Sequence, residues 1–272
     1  MSKYGIPYKG NKSKIAEDIL EQLPAGHRLV DLFGGGFAIT DCALRKFPDK
    51  WNRFFWNDHD PLLAPLIEDA IHGKYNPEVF HPKWISREEF NTRKNESGYV
   101  KFIWSFGNNG NDYLYGCRVE EKKRKAFEFV VNGVESDITE GITLTADNVH
   151  DRRIQWMHQT RSRDQELERM QSLVQLESLS RLESLSRIDY HEYEHQDGDV
   201  VYCDIPYQDA INPRDYGGGF DHNAFFQWAK EQPYPVYYSS YTKGRVIWQK
   251  DVRCVMNSSD GSVHRSEALL VI

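Results

Sequence analysis

Two short strings near opposite ends of the chain carry residue types that can do chemistry. Asp31-Leu32-Phe33-Gly34-Gly35-Gly36 follows an apolar run. Glycines accept positive φ and let a ligand approach the backbone closely. The helix expected to follow offers its N-terminal amides, so a turn of this kind can hold a nucleoside cofactor. Asp204-Ile205-Pro206-Tyr207 closes the run Asp199-Val200-Val201-Tyr202-Cys203. An acid-x-Pro-Tyr turn can hold a flat base and accept its amine protons. The 6-amino group of adenine is a poor nucleophile, because its lone pair is delocalised into the ring. Two acceptors aimed at its two hydrogens favour a tetrahedral nitrogen with a free lone pair. The Asp204 carboxylate and the Ile205 carbonyl are candidates, with Pro206 restraining Ile205. The Tyr207 ring can stack on a base flipped from its duplex. Together the strings point to methyl transfer from S-adenosylmethionine (SAM) to adenine in DNA. Positioning and charge stabilisation would supply the catalysis, with no metal.

The elements that must position these strings alternate. Ile15 to Leu23 reads as a short amphipathic helix, ended by Pro24-Ala25-Gly26. Leu29 to Phe33 reads as a buried strand, Phe37 to Phe47 as a helix and Phe54 to Asp58 as the next strand. That order predicts a parallel sheet with helices on its faces. Asp58 stands at the end of the second strand, where an acid accepts the hydroxyls of a ribose. The rhythm breaks between about Lys83 and Arg187 and then returns. Val200 to Asp204 reads as a strand, Ala224 to Lys230 as a helix and Val236 to Ser240 as a strand. Val252 to Met256 and Ala268 to Ile272 read as a closing pair of strands. The expected fold class is therefore α/β: a Rossmann-like sheet with an inserted, mainly helical region.

Bulk composition sets the bounds. A chain of 272 residues, 39% hydrophobic and 28% charged, can bury a core. No apolar run approaches the ~20 residues that span a bilayer. Met1-Ser2-Lys3-Tyr4-Gly5 opens without the apolar core of a signal peptide. Cys42, Cys117, Cys203 and Cys254 are scattered, which favours free thiols over a disulfide framework or a zinc site. A cytoplasmic, monomeric protein is the expectation. The net charge is −7, unlike the basic face of most nucleic-acid binders. Charge is uneven, however: Lys83 to Lys125 holds ten basic and six acidic residues, among them Lys122, Lys123 and Arg124. Arg152, Arg153, Arg161 and Arg163 form a second cluster. Charge runs are usually solvated faces; two of them between the two motifs favour phosphate contact.

Other readings of the same residues are weaker. No Gly-Lys-Ser/Thr follows Gly36, so a phosphate loop is excluded. A nicotinamide cofactor finds no hydride-transfer partner. His191-Glu192-Tyr193-Glu194-His195 fits the zinc pattern H-E-x-x-H, but that chemistry needs a helix presenting both histidines on one face. Here Gln196-Asp197-Gly198-Asp199 and a strand follow at once. Cys203, inside an apolar strand, reads as a small buried residue. The repeat Leu176-Glu-Ser-Leu-Ser-Arg181 and Leu182-Glu-Ser-Leu-Ser-Arg187 places leucines every three residues from Leu173 to Leu185. On an α-helix such a stripe drifts round the cylinder, which predicts a helix buried on several sides, or a tighter or irregular helical run.

These residues resemble the SAM-dependent DNA adenine-N6 methyltransferases of the Dam-like α group. That family places the cofactor motif first, target recognition in the middle and a D-P-P-Y motif last. Ile6-Pro7-Tyr8-Lys9-Gly10-Asn11-Lys12 resembles its N-terminal P-Y-x-G-x-K motif. The resemblance implies that Tyr8 and Lys12 lie near SAM. Asp31, Phe33, Gly34 and Gly36 resemble the D-x-F-x-G-x-G turn imperfectly, since the usual spacing puts the second glycine at Phe37 or the first at Gly35. Asn57-Asp58 resembles the acidic ribose position. Phe220-Asp221-His222 with Phe225, Tyr238-Ser239-Ser240-Tyr241 and Arg265-Ser266-Glu267-Ala268-Leu269-Leu270 resemble the elements after the catalytic turn. Asp204 itself belongs to the cofactor site as well as to the catalytic turn by this resemblance. Ile205 departs from the family's proline, yet its backbone carbonyl remains.

Trp104 to Gly116 falls where Dam-like proteins contact DNA through an Asn/Gly-rich aromatic loop. Asn108, Asn109 and Asn111 can pair with adenine edges, Tyr113 lies among them, and Gly217-Gly218-Gly219 can hinge a closing loop. Residues 1–82 and 188–272 are expected to form the SAM-binding catalytic domain, and 83–187 the inserted recognition region for double-stranded DNA. An orphan methylase, a restriction-modification member and a phage self-protection enzyme share this pattern. The alternatives are a SAM-dependent RNA methyltransferase and a catalytically weak DNA-binding regulator.

Overall fold

The computed structural model describes residues 4–76, 78–160, 179–207, 219–241, 245–255 and 262–272. The chain forms two compact units, one of residues 1–5, 11–64 and 177–272, the other of 6–10 and 65–176. Within this span lie helices α1 (Ala16–Gln22), α2 (Ala38–Lys46), α3 (Leu63–Ile71), α4 (Arg87–Arg93), α5 (Cys117–Asn132), α6 (Val149–Thr160) and α7 (His222–Glu231). The strands are β1 (Gly26–Asp31), β2 (Trp51–Asn57), β3 (Leu182–Ser186), β4 (Asp199–Cys203), β5 (Val236–Ser240), β6 (Arg245–Val255) and β7 (Ser262–Val271).

All seven strands join one sheet in the order β3-β2-β1-β4-β5-β7-β6. The first five run parallel, and β7 is antiparallel to both β5 and β6. This is the expected mixed α/β, Rossmann-like sheet. Strand order reverses between β1 and β4, where Asp31 lies opposite Tyr202. In open parallel sheets, ligands bind in the crevice outside the carboxyl ends at such a reversal. Both motifs of the sequence leave the sheet there. Val30, Leu32, Val201, Cys203, Phe225, Tyr238 and Leu270 pack one core cluster beneath them.

At the opposite ends of the strands, Arg28 on β1 is buried and donates two 2.8 Å hydrogen bonds to Asp199. Its third arm reaches Glu183 on β3 at 2.9 Å. Burial alone would raise the Asp199 carboxyl, but the bonds from Arg28 and Tyr193 outweigh it and hold the group below the usual range. A charge in that position is tolerated because every arm of the guanidinium finds a carboxylate.

The leucine repeat departs from its helical expectation. Leu173, Leu176 and the residues up to 178 lie outside the described span, as do Arg161, Arg163, Gly217, Gly218 and Met256. From Leu179 the repeat makes one 3-10 turn, and Leu182–Ser186 then forms β3 along β2. Leu182 pairs with Phe54 and Leu185 with Trp56, with a register shift between Phe54 and Phe55. Phe54 and Trp56 are two residues apart and share a face. The extra residue on β3 is a bulge, so leucines three apart share that face too. A spacing of three therefore reports a bulged strand rather than a helix. This strand lies within the stretch that the sequence assigned to the insertion.

The second unit is mainly helical among its described residues. Ser86 caps α4 through a 3.1 Å bond from the Glu89 amide. Trp84 stacks on Tyr115 at 5.4 Å and meets Trp104 edge-on at 5.2 Å. The loop after the π-helical turn Tyr99–Ile103 is closed by a bridge between Ser105 and Tyr113.

Candidate active site

The glycine turn is shaped by its packing. β1 ends at Asp31, two residues before the expected limit, because Leu32 and Phe33 already leave the ladder. The Gly34 amide donates to Asn57 O at 2.8 Å, which presses the turn against Trp56. The Gly35 amide donates to Asp58 Oδ2 at 2.9 Å. Phe37 stands where the family spacing expects glycine, and it keeps a glycine-like backbone, φ 68°, ψ 13°. Left-handed backbone costs a non-glycine residue roughly 1–2 kcal/mol. The Phe37 ring, fully buried 6.3 Å from that of Trp56, offsets it through packing.

Three carboxylates converge at the carboxyl edge. Asp31 is fully buried; Oδ2 accepts from Thr40 Oγ1 at 2.8 Å, and Oδ1 has no hydrogen-bond partner among the described residues. Burial pushes its carboxyl up to about 7 against the Thr40 bond, and the charges of Asp204 and Asp58 add to the rise. Burial likewise pushes Asp58 up to about 6, against bonds from the Asp60 and Gly35 amides. Burial pushes Asp204 up to about 6 against the attraction of Lys12.

The acid-x-Pro-Tyr turn is held from several sides. Lys12 Nζ lies 2.8 Å from Asp204 Oδ1 and 4.7 Å from the centre of the Tyr207 ring. Lys12 is held by its own loop. The Tyr4 amide donates to Ser13 Oγ at 2.8 Å, and the Gly5 amide donates to Asp41 Oδ2 on α2 at 2.7 Å. Ile205 is 3% exposed within the core cluster, so side-chain packing restrains it where the family uses a proline ring. No described residue donates to its carbonyl oxygen. His222 Nε2 lies 2.6 Å from Pro206 O, and Asp221 caps α7 through the Ala224 amide at 3.0 Å.

The remaining expected residues have contacts of their own. Phe33 packs among Tyr190, Phe220 and Phe225 at 5.4–5.8 Å. Tyr8 belongs to the second unit, its ring 5.4 Å from Phe102. Gly36 is buried and its carbonyl lies against Gly5. The H-E-x-x-H string makes only one 3-10 turn, Tyr190–Glu192, before extending, so its two histidines share no helix face.

In the second unit, Asn108 Nδ2 donates to Phe102 O at 2.9 Å, and Asn109 accepts from the Asn111 amide and donates to Asp112. Those amides build the loop. Tyr113 is buried, its hydroxyl donating to Ile85 O at 2.7 Å. Its polar end faces inward because the main chain at Ile85 offers an acceptor. The Asn111 side chain is exposed. Arg124 pairs with Glu121 at 2.8 Å, while Lys122 and Lys123 are exposed with no ion pair among the described residues. Arg152 donates to Phe129 O at the end of α5, 2.7 Å away. Arg153 is buried with Nε and Nη2 lacking partners among the described residues.

Two residues carry structure that the sequence reading did not assign to them. Asn57 is buried; its Nδ2 donates to Leu32 O at 3.0 Å and Ile188 O at 3.1 Å, and its Oδ1 accepts from the Ile188 amide. It ties the ends of β1, β2 and β3 together. Phe106 is 48% exposed at the start of the asparagine loop, where Gly107 and Asn108 are both left-handed. The cluster of Asn and Gly beside an aromatic was its signal.

No curated protein matches the chain. No described helix is long and apolar enough to cross a membrane. Residues 8–130 match the family model for D12 class N6 adenine-specific DNA methyltransferases. The matched stretch holds Lys12, the glycine turn, Asp58 and the asparagine loop, and it stops before Asp204. Over residues 8–130, just under half of its length, the chain is similar to the D12 class of N6 adenine-specific DNA methyltransferases.

Proposed function

We propose that the chain transfers the methyl group of SAM to N6 of an adenine turned out of duplex DNA at a short recognition sequence. One observation carries the reading. A single cationic N–H donor, Lys12 Nζ, reaches both the Asp204 carboxylate and the face of Tyr207. A flat base bearing an amino group would use the same two partners. The Ile205 carbonyl, which accepts no hydrogen bond among the described residues, supplies the second acceptor for that amino group. Asp204 would then draw proton density from N6 while Tyr207 holds the ring plane.

The residues fit SAM. Asp31 Oδ1 is a buried acceptor without a donor among the described residues, suited to an ammonium group. Asp58, at the end of β2, suits a ribose. Three clustered carboxylates favour a cationic ligand. Bound there, SAM would supply an electrophilic methyl group on a sulfonium, and the chain would orient it and exclude water. Exposed Lys122 and Lys123, which make no ion pair among the described residues, support contact with DNA phosphates.

The reading is tested by incubating the protein with labelled SAM and unmethylated genomic DNA, then mapping modified bases. N6-methyladenine in a short motif is the expected product. Label in RNA alone, or in cytosine, would overturn it.

Acid should act on stability and activity in opposite directions. Between about pH 7 and pH 4, folded Asp31, Asp58 and Asp204 hold protons that the unfolded chain has released. Their contribution to stability therefore grows as pH falls through that window. Asp199, held low by Arg28 and Tyr193, loses its contribution only below its ordinary range near 4. Methyl transfer needs ionised Asp204 and should fall below about pH 6. The denaturation midpoint is expected to be higher at pH 5 than at pH 7.5, with a lower rate, and Asp31→Asn should flatten the stability trend. A midpoint that drops steadily from pH 7.5 to pH 5 would contradict the assignment.

A further inference from the structure

Resting on that reading, we propose that Glu267 is a positioning residue that holds the base-stacking ring of Tyr207 by its hydroxyl. Glu267 lies on β7, the antiparallel strand between β5 and β6, and is 8% exposed. The Tyr207 hydroxyl donates to Glu267 Oε2 at 2.5 Å. The two residues are sixty positions apart in sequence.

A carboxylate buried to this degree needs a partner. Its cross-strand neighbour on β6 is Lys250, but Lys250 pairs instead with Asp18 on α1 at 2.6 Å. Glu267 makes no ion pair among the described residues, and the Tyr207 hydroxyl is its hydrogen-bond donor. Hydrogen bonds to ionised acceptors are stronger and more directional than neutral ones.

The geometry gives that bond a use. Tyr207 sits at the end of a turn, where two side-chain torsions leave a ring free to rotate. Here the ring is held at two points: Glu267 accepts from the hydroxyl, and Tyr241, just after β5, meets the ring in a T-shaped contact at 4.3 Å. A platform fixed in advance spares the base the entropy of ordering it. The platform contacts the base in the ground state and the transition state alike, so its loss should appear in KM more than in kcat.

The experiment measures kcat and KM for unmethylated DNA in the full-length protein and in Glu267→Leu, Glu267→Gln, Tyr207→Phe and the double variant Glu267→Leu/Tyr207→Phe. Glu267→Leu removes the acceptor, Tyr207→Phe removes the donor, and Glu267→Gln keeps an acceptor without the charge. Loss of one hydrogen bond to a charged group predicts a roughly 10-fold rise in KM for Glu267→Leu and for Tyr207→Phe, with kcat within about threefold. The double variant should be no worse than either single one, and Glu267→Gln should recover most of the KM. Several results would overturn the proposal: Glu267→Leu matching the wild type, additive effects in the double variant, or Glu267→Gln as impaired as Glu267→Leu. A fall in kcat at unchanged KM, with a lowered denaturation midpoint, would assign Glu267 to the fold instead and also overturn it. A wild type that methylates no DNA overturns the proposed function and this inference together.

Discussion

Replacing Asp204 by alanine is expected to lower kcat for methyl transfer about 10²–10³-fold, the usual effect of deleting one preorganised electrostatic group aimed at the reacting atom. Asp204 follows β4, and its carboxylate meets Lys12 at 2.8 Å. Adenine N6 becomes a nucleophile only when its lone pair leaves conjugation with the ring, and an anionic acceptor on its N–H favours that state. Asp204→Ala also removes an anion from beside the Lys12 ammonium, which is only 9% exposed. Asp204→Asn separates the two effects, because it keeps the shape and one acceptor while losing the charge. Both variants should show the fall in single-turnover rates on unmethylated DNA. Asp204→Asn working at more than a tenth of the wild-type rate would show that the charge is not the main contribution.

Gly34→Ala is expected to destabilise the unit that holds the seven-stranded sheet by about 2–4 kcal/mol, at the upper end of overpacking effects. A Cβ at Gly34 would lie 2.0 Å from Trp56 Nε1 and 2.2 Å from Cδ1. The indole is fully buried beside Phe37, and the turn is pinned by the Gly34 amide on Asn57 O. Neither side has room to yield. Gly116→Ala is the control: nothing lies within 4 Å of its Cβ position, and its backbone is extended at φ −67°, ψ 148°. It should shift stability by at most about 1 kcal/mol. Urea denaturation of the two variants checks the comparison. Equal midpoints would mean that the turn is not constrained by Trp56.

Local strings of this chain report local facts reliably. An apolar run ending in Asp31 and three glycines makes a strand and a turn, and β5 occupies the residues that its composition indicates. The family resemblance was also legible, because it rests on ordered motifs rather than on contacts. Strand length was less legible. β6 and β7 run for 11 and 10 residues, beyond the two apolar pieces expected. Cross-strand pairing carries polar positions such as Lys250 and Glu267 into the ladder, and no local preference announces that. The second half of the leucine repeat became a bulged strand because β2 offered an unpaired edge.

By itself, then, the sequence determined the alternating order of elements, the two chemical motifs and the family they resemble. Those are properties of neighbouring residues, set by backbone preference and by the period of apolar side chains. Tertiary structure decided which distant groups meet. The placement of β4 beside β1 brings Asp31, Asp58 and Asp204 to one edge, where shared burial lifts all three carboxyls. It also put Glu267 under the Tyr207 hydroxyl and turned Tyr113, Asn108 and Asn109 inward to build their own loop. The physical reason is that a polar side chain takes whichever partner the packed chain presents. That partner is set by strand order and register over separations of tens to hundreds of residues, where no local pattern reaches.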